Sequence, residues 1–159
     1  MVSFIHIADK NDEASIVKNG IRATGMRGDR GVYAVPVVPN YATTHQWARE
    51  LKRGGIRTLI CVQFKIPNDE LVLVGKYHRK KLMMTASEAA AAFMKHTDPM
   101  GLEVIVLRKV MPTEITRTYL APQVTGWRYF PEAKGKKPCR CKICNRGEIR
   151  AQRLIREDA

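Results

Sequence analysis

The amino-acid sequence predicts an α+β domain with flanking helices and a basic, Cys-containing C-terminal extension. Three observations carry that expectation. Short β-branched and aromatic runs, such as Val32-Tyr33-Ala34-Val35 and Thr58-Leu59-Ile60-Cys61-Val62-Gln63-Phe64, have the composition of strands. Capped segments with helical periodicity alternate with them. A length of 159 residues is enough for one hydrophobic core and too short for two. Composition changes beyond Pro122, so the expected boundaries are residues 1–122 for the core domain and 123–159 for an extension packed on it.

Taken in order, Val2 to Ile7 reads as a short strand closing near His6. Asn11 or Asp12 then caps a helix through Lys18, with Ile16, Val17 and Ile21 as its buried stripe and Gly20 just past its end. A Gly- and Arg-rich turn with Arg22, Arg27 and Arg30 leads into Gly31 and the strand Val32–Val35, which Pro36 and Pro39 must end because proline cannot donate to a ladder. Ala42 to Arg53 reads as a helix stopped by Gly54-Gly55, with Tyr41, Trp47, Ala48 and Leu51 along one side. Arg57 to Ile66 has the apolar character of a central strand, in which Cys61 is a small buried hydrophobe. Leu71 to Val74 is a further strand, and Gly75 to Lys81 a basic surface loop containing His78, open to contact with phosphates. Thr85-Ala86-Ser87-Glu88 is a capping box before an alanine-rich helix to about Lys95. Leu102 to Val110 is the last expected strand of the core, followed by a turn through Met111-Pro112-Thr113-Glu114-Ile115. A final helix is expected over Glu148 to Arg156.

Two tyrosines, Tyr33 and Tyr41, flank the proline break, His6 closes the first strand, and Glu103 sits inside the apolar run Leu102-Glu103-Val104-Ile105-Val106. A carboxylate there is costly without a purpose. Read singly, Tyr33 is also a core residue, Tyr41 a helix start, and Glu103 an edge-strand residue facing water. Read together, Phe4-Ile5-His6-Ile7-Ala8, Gly31-Val32-Tyr33 through Tyr41-Ala42, and Gly101-Leu102-Glu103 resemble the ADP-ribosyltransferase superfamily in its His-Tyr-Glu branch. That branch includes the catalytic cores of poly-ADP-ribose-polymerase-like enzymes and of bacterial toxin-like nucleic-acid ADP-ribosyltransferases. The resemblance spans roughly residues 3 to 120, and this chain carries Ile7 and Ala8 where the family often has a Gly and a hydroxyl residue.

The resemblance implies a split mixed β-sheet with an NAD cleft between its halves. It implies that Glu103, His6 and Tyr41 are catalytic, and that His6, Tyr33, Tyr41, Arg22 and Gly31 bind NAD. Tyr33 and Tyr41 would flank nicotinamide, His6 would bind a ribose hydroxyl, and Glu103 would orient the ribose and activate the acceptor. Breaking the nicotinamide bond builds positive charge on the sugar, which aromatic faces and a carboxylate stabilise. The arginines near His6 and Tyr33 are shaped to grip a diphosphate, Arg22 first among them. RNA 2′-phosphotransferases resemble the same fold, but they rely on Arg and His without the glutamate; Glu103 argues against them, while His78-Arg79 keeps them as a lesser alternative.

The formal net charge is +13, from 28 Lys and Arg against 15 Asp and Glu. Nine basic and three acidic residues lie between Lys134 and Ala159. That balance favours a polyanion, DNA or RNA, as the acceptor, with a merely solubilising tail as the plain alternative. Cys139, Cys141 and Cys144 lie within six residues, a spacing that suits tetrahedral zinc better than a disulfide framework. An iron–sulfur cluster ranks second, and three unbound cysteines are the plain alternative. Cys61, His78, His96, a partner's residue or water are open as the fourth ligand. No run approaches the apolar length of a membrane span, and the N-terminus has neither the basic flank nor the apolar core of a secretory signal, so the expected location is the cytoplasm with no membrane partner. The favoured activity is NAD-dependent ADP-ribosylation of a nucleic acid. The family implies a toxin or defence effector with an antitoxin or regulatory protein as partner. A protein ADP-ribosyltransferase or NAD glycohydrolase of the same fold, and a non-catalytic zinc and nucleic-acid-binding module, are the alternatives.

Overall fold

Among the described residues the chain forms seven strands, four α-helices and two short 3-10 helices. The computed structural model describes residues 1–25, 29–53, 55–77 and 79–121. Met26 to Gly28 with Arg27, Gly54, His78 and residues 122–159 lie outside the described residues, and with them the cysteine cluster, the final helix and the extension. The order is β1 (Val2–Asp9), α1 (Glu13–Asn19), β2 (Val32–Pro36), α2 (Tyr41–Thr44), α3 (Ala48–Arg53), β3 (Leu59–Ile66), β4 (Leu71–Lys76), β5 (Leu82–Thr85), α4 (Ala86–Lys95), β6 (Leu102–Val106) and β7 (Ile115–Leu120).

The strands form one sheet in the order β5-β4-β6-β2-β1-β3-β7. Every described pairing is antiparallel, which corrects the expectation of a mixed sheet. The sheet nevertheless has a weak seam. β1 pairs with β3 over all eight of its residues, from Val2↔Ile66 to Asp9↔Leu59, but with β2 only at Phe4↔Pro36 and Ile5↔Val35. Beyond that point the two strands part.

Alternation along the strands sorts the side chains onto two faces. Phe4, Ile60, Val62, Phe64, Val104 and Val106 share one hydrophobic cluster with Ile16 before the end of α1 and with Ala86, Ala89 and Phe93 of α4. On the opposite face Ile5, Ile7, Leu59 and Cys61 pack with Ala48 of α3. Since α3 covers the β1 and β3 part of this face, the part formed by β2 and β6, with Tyr33, Glu103 and Ile105, is left open.

Several local features match the sequence signals. Thr85 accepts from Glu88 N and the Glu88 carboxylate returns to Thr85 N at 2.8 Å, so the capping box forms. Gly20, at φ 81°, ends α1 with its N–H on Ile16 O, and a Cβ there would lie 2.1 Å from Val110 O. Cys61 is buried, as expected of a small hydrophobe, and burial pushes its thiol up to about 12.

Other features differ. Val17 is 52% exposed and leaves the buried stripe to Ile16 and Ile21. The single helix expected over Ala42–Arg53 is two short ones, because Thr44 turns back on the preceding loop: its hydroxyl donates to Val38 O at 3.0 Å and accepts from Val38 N at 3.1 Å. His45 then leaves helical geometry at φ −107°, ψ 17°. The last expected strand stops at Val106 rather than Val110, and two strands were not anticipated. β5 pairs with β4, and β7 continues the sheet beyond β3.

Candidate functional site

The open part of the sheet is a groove of about 950 Å³ where β1 and β2 separate, a size within the roughly 300–1,000 Å³ of small-molecule sites. His6 lines it from β1, Tyr33 from β2 and Glu103 from β6. Three residues 97 positions apart in sequence, His6 to Glu103, thus reach one cleft.

His6 replaces a backbone rung at the seam. Its Nδ1 lies 2.8 Å from Tyr33 O. A carbonyl can only accept, so Nδ1 carries the proton and Nε2 of the neutral ring keeps its lone pair. Burial holds the imidazole below its ordinary pKa, against the opposing effects of the Tyr33 carbonyl and the Asp12 charge. His6 is therefore a neutral hydrogen-bond acceptor near neutral pH.

Tyr33 stands level with Ile105 of β6 and is 37% exposed, so it is a groove wall and not a core residue. Its hydroxyl donates to Asp29 O at 3.2 Å. Burial first, and then the charges of Glu103 and Asp29, push its pKa up, so it remains a phenol. Gly31 lies just before it, with backbone bonds to Thr24 in both directions at 2.9 and 3.0 Å. A Cβ on Gly31 would meet Ile105 Cγ2 at 2.4 Å and Val106 O at 2.5 Å. Its glycine is explained by this close approach to β6, and it does not line the groove.

Glu103 is 6% exposed in an interior strand, which sets aside the solvent-facing edge position. Its partner is Lys81, whose Nζ lies 2.8 Å from Oε1, with the two side chains 9% and 8% exposed. The same Nζ donates to Lys76 O at 3.1 Å and to Arg79 O at 3.2 Å. Gly75 stands opposite Glu103 in the β4–β6 ladder, and a Cβ on it would lie 2.9 Å from Lys81 Cδ. The missing side chain at Gly75 is what lets the lysine cross to the carboxylate.

The turn that delivers Glu103 is braced from the break between α2 and α3. Gln46, fully buried, donates to Pro99 O at 3.1 Å and accepts from Gly101 N at 2.5 Å. Trp47 donates from its indole N–H to Leu102 O at 3.0 Å, and its ring meets Tyr77 edge-on at 5.4 Å. Three of the four positions ahead of Glu103, namely Pro99, Gly101 and Leu102, are thereby fixed, and Trp47 and Tyr77 add aromatic wall.

Besides Gly31, two further expected ligand residues are elsewhere. Tyr41 begins α2 as predicted but does not line the groove; its ring packs against His45 at 4.3 Å, and His45 Nε2 lies 2.9 Å from the Tyr119 hydroxyl. Arg22 is exposed and also lies off the groove. Lys81, Gln46, Trp47 and Tyr77 were missed as site residues. A lysine in a basic run and a glutamine in a polar helix look solvated, and only the Trp N–H, which demands a partner when buried, was a usable signal.

Among the described residues no group of three His, Cys, Asp or Glu is arranged to hold a metal ion. His96, one candidate fourth ligand, accepts from Asp98 N at its Nδ1, at 3.1 Å. No helix among the described residues is long and apolar enough to cross a membrane. Comparison with protein-family models, curated proteins and solved structures found no match to this chain.

Proposed function

We propose that this chain is an NAD-dependent ADP-ribosyltransferase acting on a nucleic acid, with its NAD cleft at the β1–β2 seam. The observation that carries the reading is the meeting of His6, Tyr33 and Glu103, from three distant segments, in one groove of ligand size. As the glycosidic bond to nicotinamide breaks, its electron pair leaves with the neutral base and the ribose becomes cationic. A carboxylate held in a largely buried strand stabilises that charge, and its low-dielectric surroundings strengthen the effect. The neutral His6, with Nε2 as acceptor, suits a ribose hydroxyl donor. Tyr33 offers a flat, uncharged face to nicotinamide. The acceptor's attacking oxygen or nitrogen then bonds to the anomeric carbon and loses its proton.

The nucleic-acid acceptor rests on the net charge of +13. The Glu103–Lys81 ion pair favours a second reading, a nucleotide-binding module in which Glu103 only fastens the β4–β5 turn. Incubation with NAD labelled in its adenylate half, with separate pools of DNA, RNA and protein, decides between them. Label in a nucleic acid supports the proposal, label in protein alone moves the acceptor, and NAD binding without nicotinamide release supports the binding module.

A further inference from the structure

The charge balance of the groove localises the anionic part of its ligand. Asp29 is an acid on its wall, and the Glu103 carboxylate is matched by Lys81. Lys76, beside the groove, is spent on Asp98 Oδ2 at 3.1 Å and on the carbonyls of Asp98 and Met100. Among the described residues lining the groove, Arg79 is a cation with no ion pair, and its side chain is exposed at the mouth. Its backbone, in contrast, is pinned. Arg79 N donates to Lys76 O at 3.0 Å, Arg79 O accepts from Lys81 Nζ, and Tyr77 N donates to Gly101 O at 2.8 Å. Arg79 thus sits on a pinned stretch of backbone, with its uncompensated guanidinium next to the aromatic pair Trp47 and Tyr77.

We infer that Arg79 takes the diphosphate of the bound dinucleotide, the role that sequence proximity alone assigns to Arg22. This rests on the NAD reading above. A guanidinium presents paired donors to two phosphate oxygens, and charge-assisted bonds of this kind are the stronger class. Asp29 disfavours phosphate on its side of the groove, so the anion belongs at Arg79, with the planar rings against the aromatic and apolar surface.

The test compares the binding of ADP and of adenosine by the full-length wild type, Arg79→Gln and Arg22→Gln, with NAD binding measured alongside. Arg79 is exposed, so the substitution leaves the core intact. The wild type should bind ADP roughly ten- to a hundredfold more tightly than adenosine. That gap should collapse in Arg79→Gln and persist in Arg22→Gln. A gap that survives in Arg79→Gln, with NAD still bound, overturns this inference alone, whether or not oligonucleotide binding falls. Absence of NAD, ADP and adenosine binding in the wild type overturns the inference together with the NAD reading.

Discussion

Replacing Lys81 by Met removes the ammonium that faces Glu103 while keeping an unbranched chain in the slot above Gly75. The two side chains are 9% and 8% exposed and 2.8 Å apart, so the pair behaves as a buried one rather than a surface one. Taking away one partner of a buried pair leaves an uncompensated charge and costs about 3–5 kcal/mol. Two further bonds, to Lys76 O and Arg79 O, are lost with it. With a urea dependence of roughly 2 kcal/mol/M, the unfolding midpoint of Lys81→Met should fall by roughly 1.5–2.5 M. The double variant Lys81→Met with Glu103→Gln removes both charges, and should recover most of the loss, to within about 1–2 kcal/mol of the wild type. Equilibrium urea unfolding followed by fluorescence and circular dichroism reads both values. A fall of less than roughly 0.5 M in the single variant, or a double variant no more stable than the single one, would refute a buried, mutually dependent Lys81–Glu103 pair.

Gly75→Ala should destabilise by about 1–3 kcal/mol, because the added methyl group strikes Lys80 O and Lys81 Cδ at 2.9 Å; urea unfolding with no change of midpoint would show that the slot is not needed. His6 and His45 both have pKa values lowered by burial, so the unfolded chain binds protons that the folded chain refuses. Their contribution is complete above the unfolded value of 6.5 and is lost as pH falls through it, so the urea midpoint should drop between pH 7.5 and 5.5, and less steeply in His45→Gln; a level midpoint across this range in the wild type would contradict the assignment. Tyr33→Ala should weaken NAD binding roughly three- to tenfold, and Tyr41→Ala by less, since Tyr41 packs on His45 outside the groove. Calorimetry giving the reverse order would move the nicotinamide position toward α2.

The strands of the core were legible because their burial is two-sided or strictly alternating. Ile60 to Phe64 could be placed in the interior from composition alone, and Leu102, Val104 and Val106 facing one cluster put Glu103 and Ile105 on the other face. Alternation did not say whether that other face was water or a cleft. The answer depends on α3 covering β1 and β3 but not β2 and β6, which is a tertiary matter. β5 was obscured because Leu82 and Met83 are 63% and 59% exposed on an outer strand, and so show no buried period. The break between α2 and α3 was illegible for a similar reason: Thr44 bonds Val38, and Gln46, besides Thr43 O, reaches Pro99 and Gly101, and these three partners lie outside helical reach. The site itself was half readable. His6, Tyr33 and Glu103 are unusual in their strands, whereas Lys81, Arg79 and Gln46 become special only through what the fold sets beside them.

The most direct measurement of the central claim is nicotinamide release and label transfer from NAD by the wild type and by the Lys81→Met, Glu103→Gln double variant, the form in which loss of the carboxylate leaves no unpaired buried lysine. The double variant should fold, bind NAD within a fewfold of the wild type, and transfer no ADP-ribose, because the charge that favours the ribosyl cation is gone. Transfer at the wild-type rate by that folded double variant would contradict the claim, and would leave Glu103 as a fastening of the β4–β5 turn.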